Sequence, residues 1–347
     1  MLLNTMSRKT TGCYFLCELN LELEYKMEIQ NMNDVNKISS LWEAEIGSIS
    51  FCGGSQNAVY KYNKNKKDYI IRFTPATNRT YNELLSEIDF VNFVCEKGFY
   101  ASKPVKSINT FFLEKVVIDK KDFYVSSFEC ALGTQPTIWN RTFFKQLGEM
   151  VGNLHALSKE YKKGTKMRFD WYENVYIKNV EQYIPNQPLV IMQLNKLITN
   201  IKTLPIYNDS YGLIHGDILG CNFNYYQNKL TLFDFDELQY CYYINDIAIQ
   251  FFYSSIGMNG KNDEEYIEEF VEYFMKGYLR QTNIDSKWLS VVPLFLKLRE
   301  FILYIGVLRY RDLNNLDDWT KGFMDGRKEK LENNIPFLKN NIFNKFK

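Results

Sequence analysis

Ile214-His215-Gly216-Asp217-Ile218-Leu219-Gly220-Cys221-Asn222, followed by Leu230-Thr231-Leu232-Phe233-Asp234-Phe235-Asp236, constrains this chain more than any other feature. Phe223 to Tyr226 and a Gln227-Asn228-Lys229 turn separate the two runs. That spacing predicts a hairpin whose second strand returns Asp234 to a place beside Asn222. Strand alternation puts Leu230, Leu232, Asp234 and Asp236 on one face. Two acids ending an otherwise apolar face are costly to bury without a cation or hydrogen-bond donors. Taken singly, these residues read as a turn and a satisfied core acid. Their order and spacing together argue for a site.

Phosphoryl transfer makes few covalent demands on a protein. It needs an oriented hydroxyl, an in-line phosphate and metal ions that absorb negative charge. Asp217 offers a carboxylate for the hydroxyl, and Asn222 and Asp234 offer two oxygens of the kind Mg²⁺ accepts. H-G-D-x-x-x-x-N followed by a strand ending D-F-D resembles the aminoglycoside phosphotransferase family, over roughly residues 28 to 310. That family includes choline kinases and a type of homoserine kinase, and it shares the fold of eukaryotic protein kinases. The resemblance implies ATP (or GTP) and Mg²⁺ as cofactors and a small-molecule hydroxyl as acceptor. It also implies Asp217 as catalytic base, with Asn222 and Asp234 as Mg²⁺ ligands.

The remaining motifs come in the order the resemblance implies. Gly53, Gly54, Ser55, Gln56 and Asn57 resemble a loop that covers the nucleotide phosphates, although a plain β-turn accounts for them equally well. Arg72 resembles a phosphate-anchoring cation and Glu87 its helix partner; a structural ion pair is the other reading. Glu129 and Ala131 lie in a segment, Phe128 to Gly133, that resembles the hinge where backbone groups meet adenine. His155 and His215 read as structural, and Asn245-Asp246-Ile247-Ala248 resembles the family segment whose aspartate caps a helix and steadies the catalytic loop. Two positions depart from the family pattern: Leu219 where many relatives carry a polar residue or histidine, and Cys221 where many carry glycine. Homoserine, another amino alcohol or an aminoglycoside all fit as acceptors, with Glu300, Asp312, Asp317 and Asp318 available to meet amines. A Ser/Thr protein kinase and a catalytically silent scaffold are the alternatives; the first lacks an activation segment ending in A-P-E.

Periodicity predicts an α+β arrangement, with a small antiparallel-sheet lobe before a larger helical lobe; the family resemblance implies that the two form a bilobal protein-kinase-like fold. A short helix at Asn33 to Trp42 precedes a hairpin at Ser48 to Tyr62 and a strand at Asp68 to Phe73. Thr80-Tyr81-Asn82-Glu83 fits a capping box, and Leu84, Ile88, Val91 and Cys95 follow at helical spacing. Strands are expected at Thr110 to Ile118 and Asp122 to Phe128. Helices are expected from Asn140 and near 180–203, 245–257, 263–280 and 287–310, with one strand pair between His215 and Phe235. Residues 1–26 read as an extension, 27–130 as the nucleotide-binding lobe and 131–347 as the helical lobe.

Composition excludes more than it identifies. A net charge of +1 supplies no field for nucleic acid or an anionic membrane. No apolar run reaches the roughly 18 residues of a membrane span. The seven cysteines are odd in number and contain no C-x-x-C pair, so reduced thiols in a cytoplasm are expected. Oligomeric state is left open.

Overall fold

A computed structural model describes residues 27–54, 56–162, 168–257, 262 and 264–338. The proposed extension over 1–26 and Ser55 lie outside them. The first part is a sheet with strand order β1-β2-β3-β6-β4 and β5 paired on β6, all pairings antiparallel. Its strands are β1 Ser50–Gly53, β2 Ala58–Lys64, β3 Lys67–Pro75, β4 Pro104–Val105, β5 Leu113–Ile118 and β6 Lys121–Glu129. The opening helix α1, Met32–Ser39, gives way to a tighter 3₁₀ turn at Ser40–Trp42.

Alternation assigns the two faces of this sheet. Ala58, Tyr60 and Tyr62 of β2 point with Ile71 and Phe73 of β3 into a core closed by Val35 and Trp42. Val59 and Arg72 are direct cross-strand partners, as are Lys61 and Ile70. Val59, Ile70 and Arg72 therefore share the opposite face, which looks into a cleft. Helix α2, Tyr81–Glu96, begins with the expected capping box at Thr80 and buries Leu84, Ile88 and Val91. It also buries Glu87 beneath Arg72.

The second part is mainly helical. Helix α3, Arg141–Glu160, starts on Asn140, whose side chain accepts from Phe143 N. The single helix expected near 180–203 is instead two segments, α5 Val180–Tyr183 and α6 Pro188–Lys202, and a short helix α4, Val175–Lys178, precedes them. Pro185 and Pro188 explain the last break, since proline cannot donate within a helix but suits its first turn. The one expected strand pair is two. β7, Tyr211–Ile214, pairs with a strand at Gln239–Tyr242, and these enclose the predicted hairpin of β8, Phe223–Tyr226, and β9, Lys229–Leu232. Gln227 and Asn228 both take positive φ in that hairpin's turn, which matches the strand twist.

β10, that strand at Gln239–Tyr242, runs directly into α7, Tyr243–Ser254, a helix buried on all sides. Helices α8 Glu264–Tyr278, α9 Val292–Tyr310, α10 Asp318–Met324 and α11 Arg327–Glu332 complete the chain. Gly148 of α3 lets that helix approach α8 closely; a Cβ there would lie 2.0 Å from the Phe274 carbonyl oxygen. Among the described residues no helix is long and apolar enough to cross a membrane.

Candidate active site

A cavity of about 640 Å³ lies between the sheet and the helical part. Gly53, Gly54, Gln56, Asn57, Arg72, Glu87, Ala131, Asp217, Asn222 and Asp234 all line it. They are far apart in the chain: the β1–β2 hairpin delivers the first four, β3 Arg72, α2 Glu87, the stretch after β6 Ala131, the loop after β7 Asp217 and Asn222, and the turn after β9 Asp234. Glu129 does not line the cavity with its side chain, which is exposed.

Asp217 is held from three directions. Its main chain N–H donates to His215 Nδ1 at 3.2 Å, and its carbonyl accepts from Asn222 Nδ2 at 2.8 Å. Its carboxylate Oδ1 accepts from Arg299 Nη2 at 2.5 Å, while Oδ2 lies 3.4 Å from Asn222 Nδ2. Behind the loop, Asp246 accepts from the N–H groups of His215 and Gly216 at 3.0 and 2.9 Å. It also meets His155 Nε2 at 3.2 Å. Burial pushes the pKa of both imidazoles down, so each is neutral near pH 7. The geometry thus puts both histidines in supporting positions, as the sequence suggested.

The predicted return of Asp234 is present at the backbone: Phe233 N donates to the Asn222 carbonyl at 2.8 Å. The predicted alternation stops earlier. β9 ends at Leu232, Asp234 takes φ 62°, and Phe235–Glu237 form a 3₁₀ turn. The two aspartates therefore face different surroundings. Asp234 opens onto the cleft, 3.9 Å from Arg72 Nη1. Asp236 is buried and pairs with Arg79 at 3.2 Å, and Glu237 joins the same arginine at 2.8 Å.

Arg72 and Glu87 form a buried pair at 2.8 Å, with the guanidinium 5.2 Å from the Phe128 ring. Enclosure in the cleft, with Asp236 next, pushes the Asp234 pKa up to about 7, and Arg72 opposes the shift. The side chain is 52 % exposed to the cleft, so water there screens part of the effect. One carboxylate and one amide oxygen suit a hard cation that keeps phosphate and water as its other ligands. Asn222 fits because its Nδ2 is already committed to the Asp217 carbonyl, which leaves Oδ1 for another partner. Among the described residues no cluster of three or more His, Cys, Asp or Glu is arranged to hold a metal unaided.

The Asp234 environment yields a test. A carboxylate whose pKa rises on folding holds its proton more tightly in the folded state. Its contribution to stability is full at low pH and is lost as pH rises through about 7. Asp234→Asn is expected to raise the melting temperature of the metal-free protein at pH 8, by an amount that shrinks toward pH 5. Thermal melts across that range check it; no gain at pH 8 would show that the acids do not crowd one another.

Arg79, Arg168, the pairing of Arg299 with Asp217 and the last helices escaped sequence reasoning. Arg79 precedes the capping box, where nothing in the local pattern marks it. Arg168 donates to the Glu83 carbonyl at 3.1 Å and to the carbonyls of Asp236 and Leu238, tying α2 to the turn after β9. Asp317 caps α10 by accepting from Thr320 N at 2.8 Å, and Trp319 and Thr320 line the cavity. An acid three residues before a threonine was the available signal. Glu300 is not an amine receptor: it is buried between Lys297 and Arg327, each at 2.6 Å.

The family described as "Phosphotransferase enzyme family" matches residues 49–286. The amicoumacin kinase of Bacillus subtilis (strain 168) is 30% identical over 298 residues, which cover 83% of this chain and 88% of that protein. An amicoumacin kinase solved in complex with AMP-PNP, Ca²⁺ and Ami superposes with a TM-score of 0.84 at 28% identity, covering 92% of this chain and 97% of that one. A microcompartment-associated aminopropanol kinase shares the fold, with a TM-score of 0.71 at 18% identity over 87% of this chain and 97% of that one. Matched over most of its length in both sequence and shape, the chain belongs to the phosphotransferase enzyme family and is a small-molecule kinase.

Proposed function

We propose that this kinase transfers the γ-phosphoryl group of ATP, with Mg²⁺, to a hydroxyl of an amicoumacin-like acceptor. The observation that carries the reading is the shared cavity: Arg72, Glu87, Asp217 and Asp234 line one space together with apolar and aromatic side chains, and Asp217 also meets Arg299, whose guanidinium lies over Tyr253. Asp217 would orient the acceptor hydroxyl and take its proton as the oxygen bonds to the γ-phosphorus and the bond from that phosphorus to the bridging oxygen breaks, releasing ADP. Arg72, braced by Glu87, holds phosphate oxygens, and the hairpin loop from Gly53 to Asn57 covers them. Gly54 has φ 133°, and a Cβ there would lie 1.9 Å from the Asn57 carbonyl oxygen, so this turn requires glycine. Asn222 and Asp234 would hold the Mg²⁺, whose charge offsets that of the phosphates.

Adenine is accommodated at the end of β6. The Glu129 N–H is already given to Lys103 O at 2.8 Å, and the Ala131 carbonyl accepts from Asn224 at 3.0 Å. The Glu129 carbonyl and the Ala131 N–H are the groups proposed to meet the base. A reaction supplied by ATP belongs in the cytoplasm, in keeping with the five free cysteines among the described residues.

The acceptor end favours a molecule with an apolar body over a polycation. Tyr253, Ile302, Leu303, Tyr310 and Trp319 line it. Of the five acids that line the cavity among the described residues, Asp236 and Glu237 are paired with Arg79, Glu87 with Arg72 and Asp217 with Arg299, and Asp234 lies 3.9 Å from Arg72. A protein substrate is disfavoured because β10 and α7 follow the Asp234 turn with no activation segment between. The test is ATP consumption by the full chain against amicoumacin, aminopropanol, choline, homoserine and an aminoglycoside. The expected result is the highest kcat/KM with amicoumacin. A higher value with the aminoglycoside would overturn this acceptor assignment.

A further inference from the structure

We infer that Arg299 is a positioning residue that acts through Asp217 by fixing which carboxylate oxygen faces the acceptor; this rests on Asp217 being the base proposed above. The loop from His215 to Asn222 brings no cation of its own. His215 is neutral, and position 219, two residues past Asp217, is a leucine 6% exposed. The cation arrives instead from α9, with Arg299 Nη2 at 2.5 Å from Asp217 Oδ1.

Arg299 is itself held from behind. Its Nε donates to the Tyr253 hydroxyl at 2.9 Å, and its guanidinium lies 5.1 Å from the Tyr253 ring. Tyr253 belongs to α7, the helix that also carries Asp246 beneath the His215–Gly216 backbone. One buried helix thus sets both the loop and the arginine that grips its carboxylate. The next residue along α9, Glu300, is fixed between Lys297 and Arg327, which pins this stretch of α9 to α11.

The consequence is an asymmetric carboxylate. Oδ1 is committed to a charge-assisted hydrogen bond, the stronger kind. Among the described residues Oδ2 has only the long 3.4 Å approach of Asn222 Nδ2, and Asp217, Asn222 and Asp234 line the same cleft. Oδ2 is therefore the atom left to accept the proton of the acceptor hydroxyl. Without Arg299 the carboxylate is free to rotate, and misplacement of a reacting group by about 1 Å costs on the order of 10²-fold in rate.

The experiment compares steady-state kinetics of the full chain with R299K, R299M, Y253F, D217N and the double variant D217N/R299M, using ATP, Mg²⁺ and amicoumacin. R299M is expected to lower kcat on the order of 10²-fold with the KM for ATP unchanged. R299K is expected to recover part of that loss, and Y253F to lose less than R299M. Millimolar guanidinium is expected to restore R299M, and the double variant to be no slower than D217N alone. Wild-type kcat in R299M beside an inactive D217N overturns this inference and leaves the base assignment standing. Wild-type kcat in D217N removes the base assignment first and this inference with it. A loss in R299M that follows its melting temperature, with no recovery by lysine or guanidinium, makes Arg299 structural and also overturns the inference.

Discussion

Asp217→Asn is expected to lower kcat by about 10²- to 10⁴-fold, the range a positioned general base contributes. Asparagine keeps the size of the side chain and an oxygen that accepts from Arg299, whose Nη2 lies 2.5 Å away. Arg299 loses its anionic partner but keeps a hydrogen-bond acceptor, and the rest of the frame is made through the main chain. His215, Asn222 and Asp246 fix the loop through main chain groups at position 217 and its neighbours. Nucleotide affinity should therefore survive, because Arg72, Asn222 and Asp234 are untouched. The measurement is kcat with saturating acceptor, together with the melting-temperature shift that ATP and Mg²⁺ produce. A variant with full kcat would sink the assignment of Asp217, and one that loses the nucleotide shift would make its role structural.

Arg72→Met is expected to have the largest effect on stability, about 3–5 kcal/mol, because it leaves one partner of a buried pair behind. Glu87 is 1% exposed and accepts from Arg72 at 2.8 Å, so the variant strands a carboxylate in the interior. Arg72→Met combined with Glu87→Leu should recover most of that loss, since an apolar pair of similar volume is often no worse than a buried ion pair. The double variant should nevertheless fail to bind ATP tightly. Urea unfolding measures the first quantity and a nucleotide titration the second. This pairing separates the two readings of the Arg72–Glu87 contact. Recovery of both stability and ATP affinity in the double variant would leave a structural brace and nothing more.

Much of the site was legible because its parts are close in sequence or tied to a regular period. Asn222 and Asp234 flank a hairpin, and hairpin spacing fixes what meets across it. Arg72 sits on the cleft face because Ile71 and Phe73, its neighbours at alternating positions, belong to the core. The limits have equally local causes. Alternation failed past Leu232 because Asp234 adopts a left-handed turn, which a count of apolar residues cannot register. The pairing of Tyr211–Ile214 with Gln239–Tyr242 was missed because both strands are only four residues long and none of their residues is exposed. Neither shows the polar–apolar rhythm of a half-exposed strand.

Sequence by itself determined most of the element order in the sheet part, the hairpin that returns Asp234 to Asn222, and the capped helix that carries Glu87. These follow from local spacing, where backbone geometry leaves few choices. Only the tertiary structure decided which arginine serves which acid. Arg79 went to Asp236 and Glu237, Arg72 to Glu87, and Arg299 to Asp217. Charge alone permits any of those pairings, and the choice among them is made by how the helices pack in three dimensions.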